Sequence, residues 1–478
     1  MGYAAARSAV VDGVTGRPVT VTADVSPGLS SVTGCTPEQR DRIRAAIINS
    51  GYDWPDGRIT LSAELYGSMT DLAVAVALLA ADGQFPAELL ANVTLLGELD
   101  LDGRLRPVCG ILPAVSAAGN SVLIVLAGSA AEAAQVPGAV VIPVVRLAEV
   151  VSWLSDGALP VPGRPADVSP VPALPALDLA DVPGNHAARF ALEVCAAGGH
   201  HLFLAGNGPG VMLAERLPGI LPPLDDSAAL EVAAIYSMAG RYDLAPGRVP
   251  PMSAPHHTTT LAGVVGNLHR PGMLSLAHRG VLVLDDAPEF NRQILGALRG
   301  VLESGEVRVS GRDRLIRYPA RIQLVLLAAC CPCAGSCSCT PAVRRRYLER
   351  LARPMPYVEV RAQLERPARV VGRGEPSAVV AVRVSEARER AAARLAGTPW
   401  RTNAEVPAAE LRTRFPDAPD AIALLDQAVC TGRITSATFP RLLRVAWTLA
   451  DLRGAHQPSE EDAARTLGLW NGVCDAPR

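Results

Sequence analysis

With 478 residues the chain has room for roughly two to four domains and a large core, and 47 acidic against 45 basic residues leave it almost neutral. No global field therefore marks it for nucleic acid or a membrane. All 45 basic residues are arginine, which excludes every mechanism that needs a lysine: a phosphate-loop lysine, a Schiff base, a serine–lysine dyad. Five of the ten cysteines sit within residues 330–339, unlike the spread-out pattern of a secreted disulfide framework. The first residues hold no charged stretch leading into an apolar one, and no uncharged apolar span of about 18 residues is free of glycine and proline. A cytoplasmic protein without membrane contact is expected.

Residues 1–157 alternate strand-like and helix-like runs. Val19 to Val25 alternates as a strand does, and residues 37–50 form an amphipathic helix with Ile43, Ala46 and Ile47 on one face. Thr70 and Asp71 open a long Ala/Leu/Val helix to Ala81, with Thr70 as the expected N-cap. Residues 94–96, 121–126 and 140–145 read as strands, Pro143 favouring an edge for the last. An α/β domain is predicted. Residues 158–178 carry six prolines, from Pro160 to Pro175, and read as an extended linker.

A second α/β unit is expected over residues 179–360: a helix over 186–197, a strand over 202–204, a glycine-rich loop, a helix over 211–217, and apolar strands over 281–284 and 322–328. Continuous apolar strands alternating with helices predict a parallel sheet covered on both faces. Residues 361–478 read as a small helical domain, with helices over 377–395, 408–415, 421–431, 438–453 and 459–467.

Four stretches carry chemistry. Gly206-Asn207-Gly208-Pro209-Gly210-Val211-Met212, between a strand and a helix, has the outline of a loop whose backbone N–H groups cradle phosphate. A working loop reads G-x-x-x-x-G-K-[ST]; here Gly210 and Val211 stand where the Lys and the hydroxyl residue would fall. Asp285 and Asp286 end a buried strand; in a nucleotide hydrolase the first would hold Mg²⁺ and the second the attacking water, the alternative being a carboxylate that caps the next turn. Cys331, Cys333, Cys337 and Cys339 give C-x-C-x₃-C-x-C, four soft ligands that could close a tetrahedral Zn²⁺ site, or else reduced surface thiols. His256-His257 reads as a loop with a structural or interface role, and Arg344-Arg345-Arg346 as a solvated helix face.

Taken together these landmarks resemble the ComM/YifB-type magnesium-chelatase-like AAA+ proteins over nearly the whole chain. The matching segments include Asp181-Val182-Pro183-Gly184, Arg216-Leu217-Pro218-Gly219, Ala254-Pro255-His256-His257, Arg270-Pro271-Gly272 and Ser275 to Leu282. Arg401 to Val406 and Arg441 to Ala446 also match. The resemblance implies an N-terminal domain of the ribosomal-S5-domain-2 type shared with Lon proteases, a P-loop AAA+ core and a C-terminal helical lid. It implies ATP and Mg²⁺ as cofactors, a hexameric ring of like or related chains, and DNA branch migration as a family activity. Gly67-Ser68 lies near the Lon-type protease serine, and Cys109-Gly110-Ile111-Leu112 stands in the region of its lysine partner, so no proteolytic dyad is expected.

The departures concentrate in the catalytic motifs. Besides the missing Lys and hydroxyl, Asp286 replaces a Glu, Ala329 replaces the sensor-1 Asn, and Arg353 to Val358 is all that is left of a longer stretch with a candidate arginine finger. Arg441 stands at the sensor-2 position. Three readings follow: a protein that keeps the fold but hydrolyses ATP poorly or not at all and acts as a binding or assembly subunit; an active DNA motor in which Arg216 or Arg441 supplies the lost charge; and a zinc-containing nucleic-acid-binding scaffold.

Overall fold

The computed structural model describes residues 2–62, 68–119, 121–156, 177–312, 314–333, 338–365, 372–413 and 418–473. Most of the proline-rich stretch, as well as Gly67 and Cys337, lies outside them. The protein is a mixed α/β, multidomain chain. No helix among the described residues is long and apolar enough to cross a membrane.

The N-terminal part is a seven-stranded mixed sheet. Its centre is an antiparallel hairpin, Gly2–Asp12 with Thr15–Ser26, turned at Gly13 with φ +64°. The strand Gly2–Asp12 continues into the parallel set Val93–Leu95, Val122–Leu126 and Val140–Val144, and the last of these is an outer strand, where Pro143 costs no interior ladder bond. All 11 residues of the helix Asp71–Ala81 are buried. Thr70 does not cap it, because its backbone is already helical and its side chain makes no cap bond. Asp71 instead enters the core as an anion held by Arg42 Nε at 2.7 Å and Gln39 Nε2 at 2.9 Å.

The central sheet is all parallel and has five strands: Leu202–Ala205, Met252–Ser253, Val281–Leu284, Gln323–Ala328 and Val360–Gln363. Counted in chain order they lie 2-3-4-1-5 across the sheet. Alternate residues of the three central strands feed two separate clusters. Leu202, Leu204, Val283, Val325 and Leu327 pack under the helix His186–Gly198, while Phe203, Leu282, Leu284 and Leu326 pack under the helix Arg292–Ser304. The fifth strand runs past residue 360, where the core was expected to end, and it completes the sheet beside Leu202–Ala205. The hairpin tip at Gly13 and the helix Ile111–Ala118 meet the core, the latter through the N–H groups of Gly110 and Leu112 on Ser237.

The C-terminal helices Pro419–Cys430, Phe439–Arg453 and Glu460–Trp470 form a cluster around Trp447, Leu442 and Trp470, whereas Ser377–Arg394 packs Val380 and Val384 into the cluster under the central sheet. Arginines tie them down. Arg383 makes paired bonds to Glu193 of the core at 2.6 and 2.8 Å and to Glu375 at the same distances. Arg394 grips the buried Asp451 through two bonds of 2.6 and 2.7 Å while lying over Trp447. Asn403 adds bonds to Asp451 and Thr448, and Thr448 reaches His200 Nε2 at 2.8 Å.

Two consequences can be measured. Asp451→Ala leaves Arg394 charged and without its main partner in an enclosed setting, so stability is expected to drop by about 3–5 kcal/mol, read by chemical denaturation. His200 is fully buried, and burial first of all, reinforced by Arg444, His201 and Arg388, holds its pKa at about 4. The unfolded imidazole titrates near 6.5, so as pH falls the unfolded chain takes up its proton first. The stabilisation is complete above about pH 6.5 and is lost progressively down to about pH 4, up to about 3 kcal/mol from this residue. A flatter pH dependence of unfolding in His200→Gln than in the wild type is the expected result; His201 and His278, also depressed by burial, act with the same sign.

Candidate functional site

The glycine loop and Asp285 stand at the same edge of the central sheet, beyond the C-terminal ends of its strands, where open α/β sheets take ligands. One strand, Gln323–Ala328, separates them, so about 10 Å lies between the two strand ends. The local reasons are plain. Leu202–Ala205 is a fully buried apolar strand that must turn at once, and Gly206 makes the turn with φ +136°.

What surrounds the loop is not open space. A Cβ on Gly206 would stand 2.5 Å from the carbonyl oxygen of Leu364. On Gly208 it would meet Leu364 Cβ at 2.9 Å and the Glu365 oxygen at 3.0 Å, and on Gly210 Leu364 Cδ1 at 2.9 Å. The chain leaving the fifth strand therefore lies against all three glycines, fixed by Leu364 N–H on the Ala205 carbonyl at 2.7 Å and by Glu365 N–H on Asn185 Oδ1 at 2.9 Å. Asn185 holds this place from a left-handed backbone, φ +49°.

The loop's own donors are partly spent. Pro209 has none, Gly206 N–H donates to Ala328 and Gly210 N–H donates back to Gly208, both at 2.9 Å. Asn207 is exposed, and so are Val211 at 40 % and Met212 at 42 %. The helix that follows, Gly210–Glu215, is six residues long. Its end is clamped by Arg216, which is buried and donates from Nε to the Asp178 carbonyl at 2.6 Å and from Nη1 to the Met212 carbonyl at 2.8 Å. Committed to these carbonyls, Arg216 does not deliver its charge to the loop.

Asp285 accepts the N–H of Asp286 at 3.0 Å, and Asp286 sits at φ +48°. The Asp285 carboxyl is held above its ordinary range, first by partial burial and then by the charge of Asp286, with His257 and His256 pulling the other way. These two histidines stack at 4.1 Å, and His257 meets Phe290 edge-on at 6.5 Å, so the Ala254 to His257 loop lies beside the strand end. Arg441 is elsewhere. It packs over Tyr357 at 5.0 Å and lines a cavity of about 310 Å³ with His201, Glu359 and Arg444; His201 and Glu359 immediately precede strands, so this cavity is at the other end of the sheet from the glycine loop. Cys331, Cys333 and Cys339 bring their sulfurs within 4.8 Å of one another just past the Gln323–Ala328 strand. Cys330 stands apart, accepting from Gln363. Arg345 and Arg346 are exposed on the helix Pro341–Leu348, as expected, but Arg344 is half-buried with its Nε enclosed. The contacts made by Asn185, Leu364 and Glu365 were not foreseeable from motif spacing; the Gly184-Asn185 pair, residue types that favour tight turns, was the one local signal.

Comparison with known proteins agrees with this layout. Three family models match: subunit ChlI of Mg-chelatase over residues 22–127, magnesium chelatase subunit ChlI over 178–366, and the ChlI C-terminal domain over 374–469. An uncharacterized protein of Mycobacterium tuberculosis is 44% identical, over 98% of this chain and 99% of its own. YifB of Escherichia coli is 37% identical over 92% and 91%, and competence protein ComM of Haemophilus influenzae 34% identical over 90% and 89%. A solved full-length MCM homolog from Methanopyrus kandleri aligns over 63% of this chain and 58% of its own at TM-score 0.37 and 15% identity. That last likeness is too weak to argue from. The fold and the matched regions define a magnesium-chelatase-like protein. Within that class the chain belongs to the ComM/YifB family.

The crowding predicts that Gly208→Val destabilises the fold by about 1–3 kcal/mol through overpacking, and that Leu364→Ala in the same chain recovers part of the loss. Gly300, inside the helix Arg292–Ser304 with nothing near its Cβ direction, is the contrast: Gly300→Ala is expected to stabilise by about 0.5–1 kcal/mol. Urea unfolding of the two single variants and the double variant measures both.

Proposed function

We propose that this ComM/YifB-family chain keeps the scaffold of an AAA+ nucleotide site while binding ATP weakly and hydrolysing it poorly or not at all, and that it acts as a binding or assembly subunit of a ring. The observation that carries this reading is the loop itself. Three glycines are filled from behind by Leu364 and Glu365, two N–H groups are engaged by the protein, and two exposed apolar side chains follow.

The residues do not fit a magnesium-bound triphosphate. No lysine exists to meet the β/γ-phosphates and no hydroxyl follows to hold Mg²⁺. Asp285 and Asp286 bring negative charge to the same edge of the sheet. Each missing charge-assisted contact is worth about 1.5–3 kcal/mol, so the loss of three takes a micromolar site to millimolar or weaker. The strand order 2-3-4-1-5 and the family membership support the AAA+ assignment. Membership likewise supports a hexameric assembly, DNA processing as its setting, and the cytoplasm as its place. An active motor would need Arg216 or Arg441 at the loop; the carbonyls that hold Arg216 and the place of Arg441 at the far end of the sheet speak against it within one chain.

Calorimetric titration of the purified protein with ATP and Mg²⁺ is expected to give no binding tighter than about 1 mM, and a phosphate-release assay no turnover above that of Asp285→Asn. Micromolar binding together with turnover abolished in Asp285→Asn would overturn the proposal.

A further inference from the structure

We infer that Cys331, Cys333 and Cys339 bind a single Zn²⁺ ion that clips the exit of the Gln323–Ala328 strand to the start of the helix Pro341–Leu348. The inference stands apart from the nucleotide reading, since neither the glycine loop nor the aspartates take part in it.

Three sulfurs converge although nothing in the local backbone requires it. Cys331 follows a buried strand and is itself 3% exposed, while Cys333 and Cys339 are half-buried. The Cys331 and Cys333 sulfurs are 2.9 Å apart and the Cys333 and Cys339 sulfurs 3.7 Å. All three lie within 4.8 Å of one another. Sulfurs tetrahedrally arranged at about 2.3 Å from a zinc ion are about 3.8 Å apart, so the second spacing is already that of a ligand pair and the first closes further than a metal would leave it. A disulfide would pair two of the thiols and leave the third to one side. Gathering three thiols in a partly buried pocket has no packing advantage over one, because each is a small apolar group with a weak donor. As thiolates they would repel, and a divalent cation removes that cost, with one proton released from each thiol that binds. All-sulfur donors with no oxygen ligand select Zn²⁺, or an iron–sulfur cluster, over Mg²⁺ or Ca²⁺. The short C-x-C spacing brings two ligands to one ion and leaves little room for the bridging sulfides of a cluster.

The consequence for the fold is local and specific. The chain between the strand and the helix would be pinned at both ends, beside the strand end that carries Asp285 and Asp286. This is the corner where the family's sensor-1 residue is replaced by Ala329.

Protein purified with a thiol reductant and no added metal is expected to carry about one zinc per chain by elemental analysis. Cys331→Ser, Cys333→Ser and Cys339→Ser are each expected to fall about tenfold or more, while Cys430→Ser, at an exposed cysteine distant in sequence, keeps the full content. X-ray absorption at the zinc edge should show three or four sulfurs at about 2.3 Å; Cys337 lies outside the described residues, and either count supports the site. Should a serine variant fail to fold, wild-type protein serves: alkylation followed by peptide mass spectrometry should find Cys331, Cys333 and Cys339 protected and Cys430 modified, with the protection lost in a chelator. Metal-free wild-type protein, iron with inorganic sulfide, fewer than three sulfur ligands, or thiols alkylated alike with and without chelator would each overturn the inference.

Discussion

The close approach of the chain after Gln363 to the turn after Ala205 organises the upper edge of the central sheet. Two hydrogen bonds, Leu364 to Ala205 and Glu365 to Asn185, bring a backbone and a leucine side chain to within 3.0 Å of where three Cβ atoms would be. Only glycine tolerates such an approach, so the spacing of Gly206, Gly208 and Gly210 is explained by packing alone. The same glycines that let a loop wrap an anion here let a strand exit lie against it.

Absence of lysine shapes the rest of the electrostatics. Guanidinium groups take on the structural work: Arg216 caps a short helix and holds residue 178, Arg383 joins Glu193 of the helix His186–Gly198 to Glu375, and Arg394 with Asn403 satisfies the buried Asp451. Arg388, half-buried and with its pKa lowered by desolvation to about 10, donates twice to the Ala196 carbonyl. A planar fork of donors suits such roles and is a poor substitute for a point charge in a phosphate cradle. Arginine therefore secures the domain contacts of this chain, and the two arginines in view as replacements for the loop's missing cation are engaged elsewhere.

Much of the architecture was legible beforehand. The helices Ser377–Arg394, Phe439–Arg453 and His186–Gly198 and the strands Val281–Leu284 and Gln323–Ala328 follow from periodicity and apolar runs. Other elements were not. Gly2–Asp12 is rich in alanine, a helix former, yet it is a central strand because its neighbours on both sides supply a ladder; pairing overrides propensity there. Met252–Ser253 and Val360–Gln363 are too short to show a period. Thr70 has the chemistry of a cap, but a preceding 3₁₀ turn ending at it removes the extended backbone that a cap needs.

At the site the division is sharper. The sequence alone determined that no lysine could serve a phosphate, that two carboxylates end a buried strand, and that five cysteines crowd one stretch; these are matters of residue type and short spacing. Only the tertiary structure decided that Leu364 and Asn185, nearly 180 residues apart, close on one loop, that Arg441 faces the other end of the sheet, and that three of the sulfurs converge. The reason is the 2-3-4-1-5 strand order. It sets the fifth strand beside the first and the fourth between the first and third, and local sequence periodicity carries no record of which strands become neighbours.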